Sequence, residues 1–285
     1  MNNGIKDREN EQHSLKMLGA QRKLYNDAKT ADTIRIFLSV WFPFALSFVL
    51  LFVPEDSAVG TISYSVSVLS VISSFFVGKY IKQKKELAAT IQQQFDVYVY
   101  NMPWNDRLFG KKKNLDHEVV EHSKRLFHKE GEKEKLLNWY PESVNDMPIN
   151  EGIATCQREN CWWDAGLRKR YKAISIEIVV TLTVIIVILG VVNNENVVKL
   201  LWRAAFIAPM VQWLLDTIES LDDDLESLNE LSDALNSGER YQIDELQETQ
   251  KLIFEHRKNC LAIPNIVYKI FKNNDEDKAR QIASL

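Results

Sequence analysis

Four apolar runs, each about as long as a membrane crossing, constrain this chain more than anything else in it. Residues 34–53 read IRIFLSVWFPFALSFVLLFV, with Arg35 as the single charge. Residues 59–81 follow and carry no charge before Lys79; residues 174–192 are interrupted by Glu177, and residues 197–215 by Lys199 and Arg203. A hydrocarbon core of roughly 30 Å takes about 20 helical residues at 1.5 Å each. Buried helices of a soluble protein seldom stay apolar all round for that length. The first two runs are joined by PEDSA and the last two by NNEN, so each pair reads as a tight hairpin. The expected fold class is all-α: an integral membrane protein with four transmembrane helices in two hairpins, a helical cytoplasmic domain and a C-terminal helical hairpin.

Orientation follows from the bases. Arg22, Lys23, Lys29 and Arg35 lead into the first run, Lys79, Lys82, Lys84 and Lys85 close the second, and Arg168, Lys169, Arg170 and Lys172 open the third. The positive-inside rule then predicts a multi-pass protein with both termini and the 82–173 segment in the cytoplasm. The first 33 residues are too polar for a signal peptide. Cys156, Cys161 and Cys260 fall on the reducing side and are expected as free thiols.

This divides the chain into an amphipathic N-terminal helix (1–33), a first membrane hairpin (34–81), a helical domain (82–173), a second hairpin (174–215) and an acidic tail (216–285). The three polar pieces carry net charges of +1, +3 and −8. The overall −4 and the mean hydropathy of −0.22 average over these unlike parts. Acids outnumber bases by 39 to 35, which argues against a DNA or RNA duplex as partner. In the tail, Leu214, Ile218, Leu221, Leu225 and Leu228 are spaced 4-3-4-3, with Leu235 in register two turns later. That heptad seam lies on a helix with eight acids and no base between Asp216 and Asp233. A second helix from about 239 to 261 folds back on it, or the seam pairs between copies; both readings make it a protein-contact surface.

Catalytic chemistry finds little support. His117-Glu118-Val119-Val120-Glu121-His122 fails the spacing of zinc-protease motifs, whose second histidine would stand where Glu121 is. Cys156 and Cys161 lack a partner pair, and no phosphate-binding or nucleophile-elbow loop is present. No catalytic residue, metal site or cofactor is expected.

Polar groups inside the runs say more. Ser63, Ser67, Ser70, Ser74 and Gly78 share one helical face, suited either to close helix packing or to lining a pore made by several copies. Arg35 and Glu177 lie at matched depth near the cytoplasmic end and are expected to pair. Arg203 sits about 9 Å in from the outer end of the fourth run; it snorkels outward or faces a pore or a partner subunit. Pro43 and Pro209 are expected to kink their helices. Just before the third run, Arg158, Trp162, Trp163, Arg168 and Tyr171 read either as an interfacial anchor or as a phosphate-and-base binding surface.

The chain resembles a bacterial family, the SMODS-associated four-transmembrane effectors, over nearly its whole length. The resemblance rests on Asn10, Leu15, Leu18, Ala20-Gln21-Arg22, Leu24-Tyr25 and Ala28-Lys29; on Phe95-Asp96-Val97-Tyr98-Val99 and Pro103-Trp104-Asn105; and on Trp139-Tyr140-Pro141. Its most specific part is Cys156-Gln157-Arg158, Asn160, Trp163-Asp164, Leu167-Arg168 and Tyr171, followed by Ile263-Pro264-Asn265 and Tyr268, where an acid is expected in place of Asn265. The resemblance implies a pore-forming effector of antiphage defence in the bacterial inner membrane. It implies activation by a cyclic oligonucleotide made by a partner nucleotidyltransferase, with the lipid bilayer and further copies of the chain as partners. A membrane-anchored scaffold without a pore is the alternative, and an intramembrane enzyme, lacking clustered acids or nucleophiles at one depth, ranks behind both.

Overall fold

The computed structural model describes residues 2–45, 58–192, 197–236 and 241–270, apart from the side chains of 58–74 and 197–206. Among the described residues the regular structure is entirely helical, as expected. In chain order the α-helices are α1 (Ile5–Glu9), α2 (Gln12–Ile36), α3 (Ala58–Val99), α4 (Asp106–Phe109), α5 (Asp116–Phe127), α6 (Ile149–Val192), α7 (Val197–Asn236) and α8 (Ile243–Asn259). α2 continues into a π-helical turn at Phe37–Trp41. Pro43 follows just after it and has no N–H to donate back into the helix.

Three helices dominate. α3, α6 and α7 have 42, 44 and 40 residues, so each is about 60–66 Å long, roughly twice a hydrocarbon core. Each joins an apolar half to a polar half without a break, and α7 stays helical through Pro209. Among the described residues, α6 is the one helix long and apolar enough to cross a membrane. Its apolar half is dressed in exposed Ile178, Val180, Val184, Val187, Ile188 and Val191, an outward surface that water does not favour.

Two kinds of core hold the helices together. At the apolar end, Ile36 and Val40 of α2 and its extension pack with Val179 and Ile186 of α6 and Met210 and Leu214 of α7. Trp41 meets Trp213 edge-on there, with ring centroids 5.6 Å apart. At the polar end, Leu15, Leu18 and Leu24 of α2 pack with Ile91, Phe95 and Val99 of α3, Val119 and Leu126 of α5, and Ile153 of α6. The apolar stripe of the N-terminal helix is thus spent inside the protein. Gly19 permits this crossing: a Cβ there would lie 2.6 Å from the Phe127 ring.

The ends of the elements follow local rules. α3 stops where Asn101 takes a left-handed conformation (φ 52) and Met102 N–H bonds back to Val97 C=O, just before Pro103. Asn138 is also left-handed (φ 54). Asn10 holds it, accepting from the Asn138 N–H at 3.0 Å and donating to its side-chain carbonyl at 3.2 Å. α8 opens on a reciprocal cap between Gln242 and Glu245 and places His256, Arg257 and Lys258 in its last turn, where the helix dipole favours positive charge.

The tail folds back within the chain. Leu221, Leu228 and Leu235 of the seam are buried, Leu228 beside Cys161 of α6 and Ile253 of α8, and Leu221 beside Tyr171 and Ile263.

Candidate functional site

The polar halves of α3, α6, α7 and α8 meet in a buried network of charged and amide side chains. Asp96 of α3 is fully buried. One of its oxygens accepts from the Tyr140 hydroxyl at 3.2 Å and the other from Gln250 Nε2 at 2.9 Å and from Arg257. Gln250 also donates to Gln93 at 2.9 Å, while Gln157 of α6 donates to Gln250 Oε1 at 3.1 Å and to Leu246 C=O at 2.9 Å. The carboxylate beside Arg257 raises that guanidinium's pKa even though burial opposes it. A buried charge persists only when paired and hydrogen-bonded on this scale.

A second cluster lies nearer the apolar halves. Arg168 of α6 is 2% exposed. Its Nε donates to Asp164 Oδ2 at 3.1 Å, and its Nη1 to Asp224 of α7 and to Leu261 C=O. Asp224 in turn accepts from Leu261 N–H at 2.9 Å. One turn further on, Lys172 pairs with Asp222 at 2.5 Å. His256 Nε2 lies 2.8 Å from Asp164 Oδ2. Burial works to raise the Asp164 pKa, but Arg168 and His256 together hold it well below the usual carboxylate range. Cys260 follows His256 by one turn, and burial pushes its thiol up.

Beside this cluster an open cleft of about 880 Å³ runs between α3, α7, α8 and the end of α2. Its walls carry Arg35, Lys82, Lys85 and Lys258 against Asp32, Asp223, Asp224, Glu230 and Glu255, with His256 and Cys260 at one side. Several of those charges are already spent. Arg35 pairs with Asp32, Lys258 with Glu255, and Lys85 donates to the C=O groups of Asn259 and Cys260.

The five residues expected to bind a ligand do not share one surface. Trp162 is exposed. Arg158, one turn earlier, donates to the Tyr241 hydroxyl at 3.0 Å and keeps Nε buried without a partner. Trp163 is half-buried, edge-on to Trp162 with ring centroids 5.4 Å apart. Arg168 and Tyr171 face inward, Arg168 onto carboxylates and Tyr171 into an apolar cluster. The expected Arg35–Glu177 pair is replaced: Arg35 reaches back to Asp32 at 2.7 Å, one turn away, and Glu177 is exposed. The short i,i+3 reach along one helix needs no second helix to be in register. Ser63, Ser67, Ser70, Ser74 and Arg203 lie outside the described side chains. The three cysteines are free, with Cys156 and Cys161 buried.

Sequence reasoning missed the meeting of Asp164, His256 and Cys260, whose donor atoms all lie within 4.8 Å of one another. The spacing of His256 and Cys260, four residues apart at a helix end, was the available signal.

With that geometry in place, comparison with known proteins supplies the family. The domain described as the SMODS-associating 4TM effector domain matches residues 3–284. The chain belongs to the SMODS-associating 4TM effector family. A relative from Bacillus cereus (strain VD146), named as a probable CBASS effector molecule, is 24% identical over 97% of this chain and 96% of its own length. No solved structure matches. Several residues that carry the family resemblance are those that build the buried network: Asp96, Tyr140, Gln157, Asp164 and Arg168.

Proposed function

We propose that this member of the family is a membrane effector of antiphage defence that acts by conformation rather than catalysis. A cyclic oligonucleotide binds the polar bundle, and the apolar halves respond by forming or opening a pore as a homo-oligomer. In this reading the four apolar runs are four spans in two hairpins in the bacterial inner membrane, with both termini, the 82–173 domain and the acidic tail in the cytoplasm. The observation that carries it is continuity. α6 and α7 run unbroken from the Arg168–Asp224 cluster into apolar segments, and α3 runs from Asp96 into another. A ligand seated in the cleft touches α3, α7 and α8 at once, and its binding energy is available to reposition them. The exposed aliphatic face of α6 supplies the surface that lipid or another copy covers.

Flux from liposomes carrying the purified chain tests this, with and without a panel of cyclic di- and trinucleotides. Ligand-dependent release supports the pore. Insertion with no flux for any member of the panel leaves the scaffold reading instead. Two pairs of substitutions then locate the signal. Lys82→Ala with Lys85→Ala removes bases of the cleft, whereas Arg158→Ala with Trp162→Ala removes two α6 side chains that do not line it. Loss of ligand binding in one pair alone assigns the surface. For the pathway, Ser67→Leu with Ser74→Leu should suppress flux if the serine face lines it; unchanged flux with normal insertion assigns that face to packing.

A further inference from the structure

We propose that Asp164, His256 and Cys260 form a binding site for a single d-block divalent cation of the zinc class, clamping the end of α8 onto α6. The donors are a carboxylate oxygen, an imidazole nitrogen and a sulfur, which suit zinc and its neighbours and not the oxygen-seeking magnesium or calcium. Bonds of about 2.0–2.3 Å to a tetrahedral ion place donor atoms roughly 3.2–3.7 Å apart. In the structure His256 Nε2 and Asp164 Oδ2 are 2.8 Å apart, and the sulfur lies within 4.8 Å of both. A small inward movement of the Cys260 side chain closes the set. Only a weak hydrogen bond, Sγ to Arg257 C=O at 3.8 Å, opposes that movement.

The surroundings are those of a supported site. Arg168 Nε donates to the same Asp164 oxygen at 3.1 Å and fixes the carboxylate, as outer partners of metal ligands do. The backbone at Cys260 is pinned three ways: its N–H bonds to His256 C=O at 2.7 Å, its C=O accepts from Lys85 at 2.5 Å, and the next N–H bonds to Asp224 at 2.9 Å. Arg168, Lys29 and Lys85 are the charges that oppose a cation here. Arg168 is already paired with Asp164 and Asp224, Lys85 is held by the C=O groups of Asn259 and Cys260, and the thiolate formed on binding adds a negative charge against them and Lys29. On binding, the Cys260 thiol gives its proton to solvent, and His256 carries its hydrogen on Nδ1 so that Nε2 is free to ligate. His256 and Cys260 also border the cleft, so the fourth coordination position opens toward it. The site would tie the tail to a helix that continues into an apolar segment, a role independent of which signal the protein senses.

The test uses the full chain in detergent, stripped with chelator and then offered Zn²⁺ or Co²⁺ alone. The expected result is one equivalent of Zn²⁺ retained through gel filtration. The Co²⁺ form should show tetrahedral ligand-field absorption with a sulfur-to-cobalt charge-transfer band. Cys260→Ser should abolish that band, and His256→Gln should lower Zn²⁺ affinity by more than the 10–100-fold expected for loss of an outer partner. Cys161→Ser serves as control and should change neither. Helical circular dichroism checks that each variant is folded, and the wild-type measurement decides by itself if one is not. Failure to retain a stoichiometric ion overturns the proposal. So does a charge-transfer band that survives Cys260→Ser, which would place the sulfur elsewhere.

Discussion

Glu159→Gln probes the electrostatics of the polar bundle with a known sign. Glu159 lies on α6, one of its oxygens is buried without a hydrogen-bond partner, and burial raises its pKa from 4.5 to about 7, against an opposing hydrogen bond from Trp163. The folded state therefore holds a proton that the unfolded chain has released between those two values. Stability from this group is complete below about pH 4.5 and is lost as pH rises to about 7. At 1.36 kcal/mol per pH unit, the loss by pH 8 is ~3 kcal/mol at most. Glutamine keeps the acceptor for Trp163 and never ionises. Thermal unfolding in detergent across pH 5 to 8.5 should therefore show Glu159→Gln close to wild type at the acid end. At the alkaline end it should be more stable by roughly 6–10 °C in Tm. Glu9 is also raised by burial and repels Glu159, so Glu159→Gln also relieves Glu9, which adds to the difference with the same sign. Parallel pH profiles for wild type and Glu159→Gln would refute the reasoning.

Two further substitutions test the packing and the network. Arg257→Met leaves the Asp96 carboxylate buried without its counter-charge and should cost about 3–5 kcal/mol; adding Asp96→Asn should recover most of that loss in the same unfolding assay. Gly19→Ala drives a Cβ to within 2.6 Å of Phe127, so that overpacking outweighs the helix-propensity gain and leaves a net loss of ~1–2 kcal/mol. Phe127→Leu in the same chain should relieve it, and a Gly19→Ala protein as stable as wild type would show that the α2–α5 crossing is looser than described.

The helical class and the hydrophobic seam of the tail were legible because each is written in consecutive residues. Leu221, Leu228 and Leu235 announce a buried stripe by spacing alone. What covers the stripe was not legible, since Cys161, Tyr171 and Ile253 come from two other helices. The same limit explains Arg168. Beside Trp162 and Trp163 it reads as a ligand-binding base, whereas its partner Asp224 lies 56 residues further along. The acid run at 216–233 was itself the clue, because a helix face with no base of its own looks for bases elsewhere. Arg35 erred the other way: equal depth suggested Glu177, and the nearer Asp32 won through simple proximity along one helix.

The unbroken length of α6 has a mechanical meaning. A rod held at Arg168 in its polar half acts as a lever: the arm from there to Val192 is about 36 Å, and a tilt of only ~5° displaces its far end by ~3 Å. That is about the diameter of one water molecule, and it requires no helix to bend, unwind or slide. The amplitude of any opening in the apolar end is thus set by angular play around Arg168, Asp164 and Asp224.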